Sequence, residues 1–309
     1  SSDLSLLGQD VAKTIRTLGQ RTKPGLLGAL GAAVRLAGER AQDVAAGVLA
    51  DAVAAHNSPT RAEAVRKVVA AWAPLAAQGG DVVVLLEDQA HLLAAACAIA
   101  RALPLFQRKS LKQPKPRREP MLRVRFVEED GTPLQVSTQV EQVVEHARRA
   151  AWLVDMPPSE LDPDKLAAAA REVLAKLRGV KVQTIEGPAL LRRGFGGIHA
   201  VGRAARAQPR MLVASAKAHG GGKHPLHIAL IGKGVTYDTG GLHLKARGMM
   251  EGMKSDMGGA AAMLGAFAVL AQAKLPVQLT LILCIVENAI GPDRKSTRLN
   301  SSHTVISYA

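Results

Sequence analysis

Aromatic residues make up only 3% of this 309-residue sequence, so its core cannot be built on rings. Aliphatic side chains must fill it instead: hydrophobic residues reach 48%, chiefly Ala, Leu and Val, the composition of helix-rich α/β packing. Cysteine is nearly absent too. Cys97 and Cys284 cannot form a disulfide framework. Both lie in apolar runs, AAACAIA and LILCIVE, which predicts buried free thiols, a reducing compartment and a cytoplasmic location. No apolar run is long enough to span a bilayer, and no basic-then-apolar leader opens the sequence, so no membrane partner is expected. HExxH, GxSxG and the Walker spacing are all missing. These absences exclude the helical zinc-protease motif, the serine nucleophile elbow and the phosphate loop.

Acidic residues are in deficit, and the formal charge is +14. Such a balance raises nucleic acid as a partner. Much of the excess is local, however: RKSLKQPKPRR, residues 108–118, has two prolines and no apolar period, so it reads as a solvated loop. Nucleic-acid binding is therefore not expected as the main function. Residues 293–309, DRKSTRLNSSHTVISYA, show neither helical nor alternating periodicity. They match, codon by codon, a short-read sequencing adapter read in frame, which encodes DRKSTRLNSSH and ISYA with Thr304 and Val305 in the index gap. The expectation is an artefactual tail, with authentic sequence ending near Pro292 or Asp293. Removing Arg294, Lys295 and Arg298 takes the charge from +14 to +11.

The Ala-rich first 57 residues are expected to be mostly helical. Thr60 and Glu63 form a capping-box pattern for a helix reaching about Trp72. DVVVLLE (81–87) is a short apolar strand, followed by a helix to Ala102. MLRVRFVEEDG (121–131) alternates into a turn and reads as another strand. A helix from Gln139 to Leu153 leads to DMPPSE, whose paired prolines mark a boundary. The expected domains are 1–154, a helix-rich α/β domain, and 155–292. In the second, Asp162 caps a helix with Pro163 at its first position. Strands are expected at VKVQTIE, RMLVASAKA, PLHIALIGKG and VQLTLILCIVE, with a helix over Gly258–Ala273. The last strands are almost continuously apolar, as in a parallel sheet buried on both faces, so the expected fold is a doubly wound, mostly parallel α/β domain. Ligands of such sheets bind at the carboxyl ends of strands, here after Ile231 and after Val286.

The segment after Ile231, GKGVTYDTGGLHLKARGMMEGMKSDMGG, holds Lys233, Asp238, Lys245 and Asp256 in a glycine-rich stretch read as a loop. Carboxylates on a backbone free to bend suit a divalent cation. Asp256 stands just before a helix, where free N–H groups can hold it. Singly, each residue has a plainer reading. Lys233 could contact phosphate, Asp238 and Asp256 could be turn and cap residues, and Lys245 could be solvated. HGGGKHPLH (219–227) carries His219, His224 and His227, but its glycines favour a flexible surface turn over a metal cluster.

Together, GKGVTYDTGGLHLK, MKSDMGGAAAMLGAF and VENAIGP (286–292) resemble the leucyl aminopeptidase family, in particular its branch with a YDTGG core. The resemblance takes in DMPPSELDPDKLA, RGFGGIHAVGRAA (193–205) and PRMLVAS, and so spans about Asp155 to Pro292. Upstream it is weaker, with LPLFQRKS (103–110) similar to the end of the family's amino-terminal domain. It implies a metal-dependent aminopeptidase with Lys233, Asp238 and Asp256 as metal ligands, Asp238 bridging, and Lys245 as the catalytic lysine. Two ions, Zn or Mn, are implied, about 3.5–4 Å apart as such pairs are. Peptides with a free amino terminus are the implied substrates, and the full-length protein is implied to be a homohexamer. His243 stands where many relatives carry Ser. The larger departure is NTDAEGR, from which the family takes an Asp, a Glu and an Arg that holds a bicarbonate base; it does not occur in this sequence. The chain as it stands is expected to be inactive.

Overall fold

The structure, a computed structural model, describes residues 9–22, 29–30, 34–36, 42–49, 58–72, 80–103, 105–106, 122–220, 225–246 and 248–292. The basic run 108–118 and residues 293–309 lie outside them. Clustering of contacts divides the chain into two compact units, the first ending at Val144 and the second taking Glu145 onward, with Pro104–Lys109 assigned to the second.

In the first unit, α1 (Gln9–Arg21) is helical as expected. The residues described after it form short strands instead: β1 (Ala29–Leu30), β2 (Val34–Leu36), β3 (Gln42–Val44) and β4 (Gly47–Val48). Alanine content suggested helix there, but the same stretch of sequence carries Pro24 and five glycines from Gly25 to Gly47, residues of low helix propensity. Next come α2 (Ala62–Trp72), β5 (Gly80–Leu85), a 3₁₀ turn (Gln89–His91), α3 (Leu92–Ala102), β6 (Leu122–Val127) and β7 (Pro133–Leu134). The capping box gives way to other partners: Thr60 Oγ1 lies 2.7 Å from Ser58 Oγ, and Glu63 pairs with Arg66 at 2.7 Å. β5 and β6 are parallel, and β7 returns antiparallel. Leu92, Ala95, Ala96 and Ile99 recur at helical spacing and join Val65, Val69 and Phe126 in one core. α4 (Thr138–Asp155) runs on to the proline pair.

The second unit adds α5 (Pro163–Ala175), β8 (Lys181–Glu186), α6 (Pro188–Arg192), α7 (Gly196–Gly202), β9 (Arg210–Ala216), β10 (Leu226–Asp238), a 3₁₀ helix (Glu251–Met257), α8 (Gly258–Gln272) and β11 (Val277–Asn288). Asp162 caps α5 as expected, its Oδ1 accepting from Lys165 N at 2.9 Å with Pro163 at the first position. The strand order is β10-β11-β9-β8. β10 and β11 are parallel, whereas β11–β9 and β9–β8 are antiparallel. The α/β class stands, but the described sheet is mixed rather than mostly parallel. A continuous apolar run reports burial on both faces, not strand direction. Both faces of β11 are covered. Leu279, Leu281, Leu283 and Ile285 alternate along β11 and pack with α5 and α8 around Phe267. On the other face Ile282 packs with Leu190 of α6 and Ile198 of α7. Each fully buried Leu, Ile or Phe contributes roughly 1.5–3 kcal/mol. No helix among the described residues is long and apolar enough to cross a membrane. Both cysteines are free and half-buried, and burial pushes each thiol's pKa up.

Candidate metal centre

Lys233 stands on β10 within the expected strand PLHIALIGKG, and Asp238, in the stretch read as a loop, ends the same strand. β10 continues past Ile231, pairing in register with β11 as far as Val235–Val286, and resumes after an irregularity at Asp238–Asn288. Glycines in the motif suggested a loop; the structure uses them for close approach. A Cβ at Gly232 would lie 2.6 Å from Ala260 Cα and 2.8 Å from Gly259 O. The first turn of α8 therefore rests directly on the strand that carries Lys233.

Beyond β10 the chain turns sharply. Gly240 and Gly241 have φ of 91° and 62°, a region that L side chains rarely adopt. A Cβ at Gly240 would meet His243 O at 2.1 Å, and one at Gly241 would meet Asn288 Oδ1 at 2.7 Å. The turn returns Lys245 to Asp238: Lys245 N donates to Thr239 O at 2.9 Å, and Lys245 Nζ donates to Asp238 Oδ2 at 2.5 Å.

The other Asp238 oxygen, Oδ1, accepts from Gly240 N at 2.9 Å and Asn288 Nδ2 at 2.6 Å. Burial works to raise the Asp238 pKa, but the hydrogen bonds from Lys245, Gly240 and Asn288, with the lysine's charge, outweigh it and hold the carboxyl below its usual value. The group is an anion in a pre-shaped seat.

The second pair is Lys233 Nζ with Asp256 Oδ1, at 2.8 Å. Asp256 lies in the 3₁₀ helix, and the N-cap of α8 is Met257, without a side-chain capping bond. The capping role expected of Asp256 is thus replaced by contact with Lys233. Met253, on the same 3₁₀ helix, places its Sδ 2.9 Å from Lys245 Nζ. Side chains three apart on a 3₁₀ helix eclipse one another. One short helix therefore presents Met253 to the Lys245–Asp238 pair and Asp256 to Lys233. Lys254 Nζ ties this helix to Asp155 O at 2.9 Å.

His243 is exposed. His227, shared between the HGGGKHPLH turn reading and the expected strand PLHIALIGKG, is on β10 with Nε2 2.8 Å from Thr280 Oγ1; His224 lies outside the described residues. Sequence reasoning missed Asn288 and Met253. Asn288 could have been found as the polar residue ending the apolar strand in VENAIGP; Met253 had no comparable signal.

Among the described residues, no three His, Cys, Asp or Glu side chains converge as a metal site. The donors present are two carboxylates and an amine, and each carboxylate already holds a cationic ammonium. Lys233 is 60% exposed, a setting in which ion pairs contribute only about 0–1 kcal/mol. Its displacement from Asp256 by a divalent cation costs little. The residues present therefore fit part of a cation's ligand set, with oxygen donors on a rigid strand end and an amine that binds once deprotonated.

The class the fold defines is an α/β protein with a mixed sheet, two carboxylate–lysine pairs gathering at and beyond the end of its edge strand β10. The profile of the cytosol aminopeptidase family's catalytic domain matches residues 148–302, and that of an M17 aminopeptidase amino-terminal domain matches residues 9–112. The chain belongs to the cytosol aminopeptidase family. It is 36% identical to the human protein named probable aminopeptidase NPEPL1 over 258 residues, 82% of this chain and 48% of that one. Leucine aminopeptidase 1 of Caenorhabditis elegans is 44% identical over 148 residues, 48% of this chain and 29% of that protein. The structure of Leishmania major leucyl aminopeptidase in complex with actinonin superposes with a TM-score of 0.78 at 28% identity, covering 90% of this chain and 55% of that one. This chain spans about half the length of the curated relatives it matches first.

Proposed function

We propose that the whole protein is a metal-dependent aminopeptidase, releasing amino-terminal residues from peptides, and that Lys233, Asp238, Asp256 and Lys245 form its half of the active site in this chain. The observation that carries the reading is the double ion pair, Lys233–Asp256 and Lys245–Asp238, spanned by one 3₁₀ helix. Asp238, Asp256 and Lys233 are the ligands, and Asp238, whose Oδ2 is held only by the displaceable Lys245, is the one that would bridge the ions. Two divalent ions, Zn²⁺ or Mn²⁺, would supply an activated water and an anchor for the substrate's free amine. Lys245 supplies a positive charge on a side chain only 23% exposed. Turned from Asp238 toward a scissile carbonyl, its Nζ donates a hydrogen bond that strengthens as the oxygen becomes an anion. Met253 excludes water from one side of that ammonium.

The family's remaining Asp, Glu and bicarbonate-holding Arg belong to NTDAEGR, which is not in this sequence. The 309-residue chain is accordingly inactive in this reading, and the full-length protein is a cytoplasmic homohexamer. The test is to assay this chain beside a full-length version on an amino-terminal leucine amide with Mn²⁺ or Zn²⁺. Turnover by the full-length protein alone is expected. Comparable turnover by the 309-residue chain would sink the half-site reading, and an inactive full-length protein would sink the enzyme assignment.

A further inference from the structure

We propose that Asn288 is the positioning residue of this site, setting the direction of the Asp238 carboxylate from the neighbouring strand. The proposal rests on the metal-ligand reading of Asp238. Asn288 is the last residue of β11 and the register partner of Asp238, across the irregularity that separates Val235 from Asp238. At that irregularity the regular ladder no longer fixes the end of β10, and Asn288 supplies the missing bonds. Its carbonyl oxygen accepts from Thr239 N at 2.9 Å and from Thr239 Oγ1 at 2.8 Å. Its side-chain Nδ2 donates to Asp238 Oδ1 at 2.6 Å. Its Oδ1 occupies the space where a Cβ on Gly241 would fall, 2.7 Å away. Backbone and side chain of one residue thus hold Asp238 and Thr239 and fill the space beside Gly241.

The chemistry requires an amide at this position. A carboxylate that must face a cation needs its other lone pairs satisfied by neutral donors, which orient it without competing for the ion. Asn288 Nδ2 and Gly240 N are such donors, and both act on Oδ1. Oδ2 is left with Lys245, the partner that a cation would compete with. An Asp at position 288 could not donate, and would set a second anion against the first. An aliphatic side chain would leave Oδ1 with Gly240 alone and allow the carboxylate to rotate. Hydrogen-bonding partners behind metal ligands are worth about 10–100-fold in metal affinity.

The experiment is Mn²⁺ titration of the purified full-length protein by calorimetry, with melting measured in metal-free buffer. Wild type, Asn288→Ala and Asp238→Asn are compared. Asn288→Ala should weaken Mn²⁺ binding about 10-fold or more, while Asp238→Asn removes the site. Mn²⁺ affinity equal to wild type in folded Asn288→Ala overturns the positioning role. If that variant does not fold, Asn288→Leu, which keeps the volume without the amide, is read in the same way. A distinct result overturns the metal reading itself, and the proposal with it: no Mn²⁺ uptake by wild type, or uptake unchanged in Asp238→Asn.

Discussion

Gly232→Ala isolates the contact on which the site's geometry depends. Gly232 lies on β10 with an ordinary φ, so an added methyl strains no backbone torsion; it meets only what packs above it. Its three nearest atoms would be Ala260 Cα at 2.6 Å, Gly259 O at 2.8 Å and Ala260 N at 3.0 Å. All three are backbone atoms in the first turn of α8, so no rotamer change can relieve them, and the helix must lift by several tenths of an ångström. α8 carries Leu264 and Phe267 into the main core, and lifting it loosens that packing. Overpacking of this kind costs about 1–3 kcal/mol. At about 2–4 °C per kcal/mol for a unit of this size, Tm should fall by roughly 3–10 °C. Gly197→Ala is the control. Gly197 lies in α7 with nothing within 4 Å of its would-be Cβ, and the same change there should stabilise by about 0.4–1 kcal/mol. Calorimetric or circular-dichroism melting of the two variants decides the matter. A Gly232→Ala protein melting with wild type would show that α8 does not rest on the strand as described.

Phe267→Ala empties a side chain with 0% exposure at the centre of the second unit's core and should cost about 3–5 kcal/mol, read from urea unfolding. His146 packs against Gly265 and lies 3.4 Å from Gln272 Nε2; burial, helped by Arg149 and opposed by Glu145, holds its pKa below the usual value. The folded state therefore favours the neutral ring. Stability is fully present above the unfolded pKa of about 6.5 and is lost as pH falls through the lower folded value. His146→Gln should flatten the decline in urea midpoint between about pH 7 and pH 5, and an equally steep decline would remove His146 as its source. In the full-length enzyme, Lys245→Ala should lower kcat by about 10²–10³ with a smaller effect on KM, the loss expected for one stabiliser of a developing oxyanion. An unchanged kcat would remove Lys245 from the mechanism.

The parts of this fold that the sequence made legible are those where local chemistry and tertiary packing agree. Asp162 and Pro163 start α5 because a capping side chain and a fixed φ act within one turn. The almost continuous apolar run VQLTLILCIVE marked β11 directly, and the structure buries its Leu281, Leu283 and Ile285. The parts that were not legible depend on partners distant in sequence. Strand direction is one, since an apolar run looks the same in β9, which is antiparallel to β11, and in β10, which is parallel to it. The helical expectation for the Ala-rich start is another, because propensity is a weak prior once glycines and strand partners intervene.

The candidate site divides along the same line. Lys233, Asp238, Lys245 and Asp256 were legible as a set only through the resemblance of their motif to a known family, since each has a plainer reading by itself, and the structure pairs them as Lys233–Asp256 and Lys245–Asp238. Their setting was only partly legible: the strand was expected to end at Gly234, whereas β10 runs on to Asp238, and nothing local announces that Ala260 lies against Gly232. Glycine in this motif has two opposite uses. At Gly232 it lets a helix approach a continuous strand, and at Gly240 and Gly241 it lets the chain turn back. Only the close neighbour or the sign of φ tells the two apart. The consequence is mechanical. Lys233 and Asp238 share one strand with the irregularity between them, so their spacing is set by how that strand is held to β11. Asn288 holds it there, at a distance of 50 residues from Asp238, beyond the reach of any local pattern.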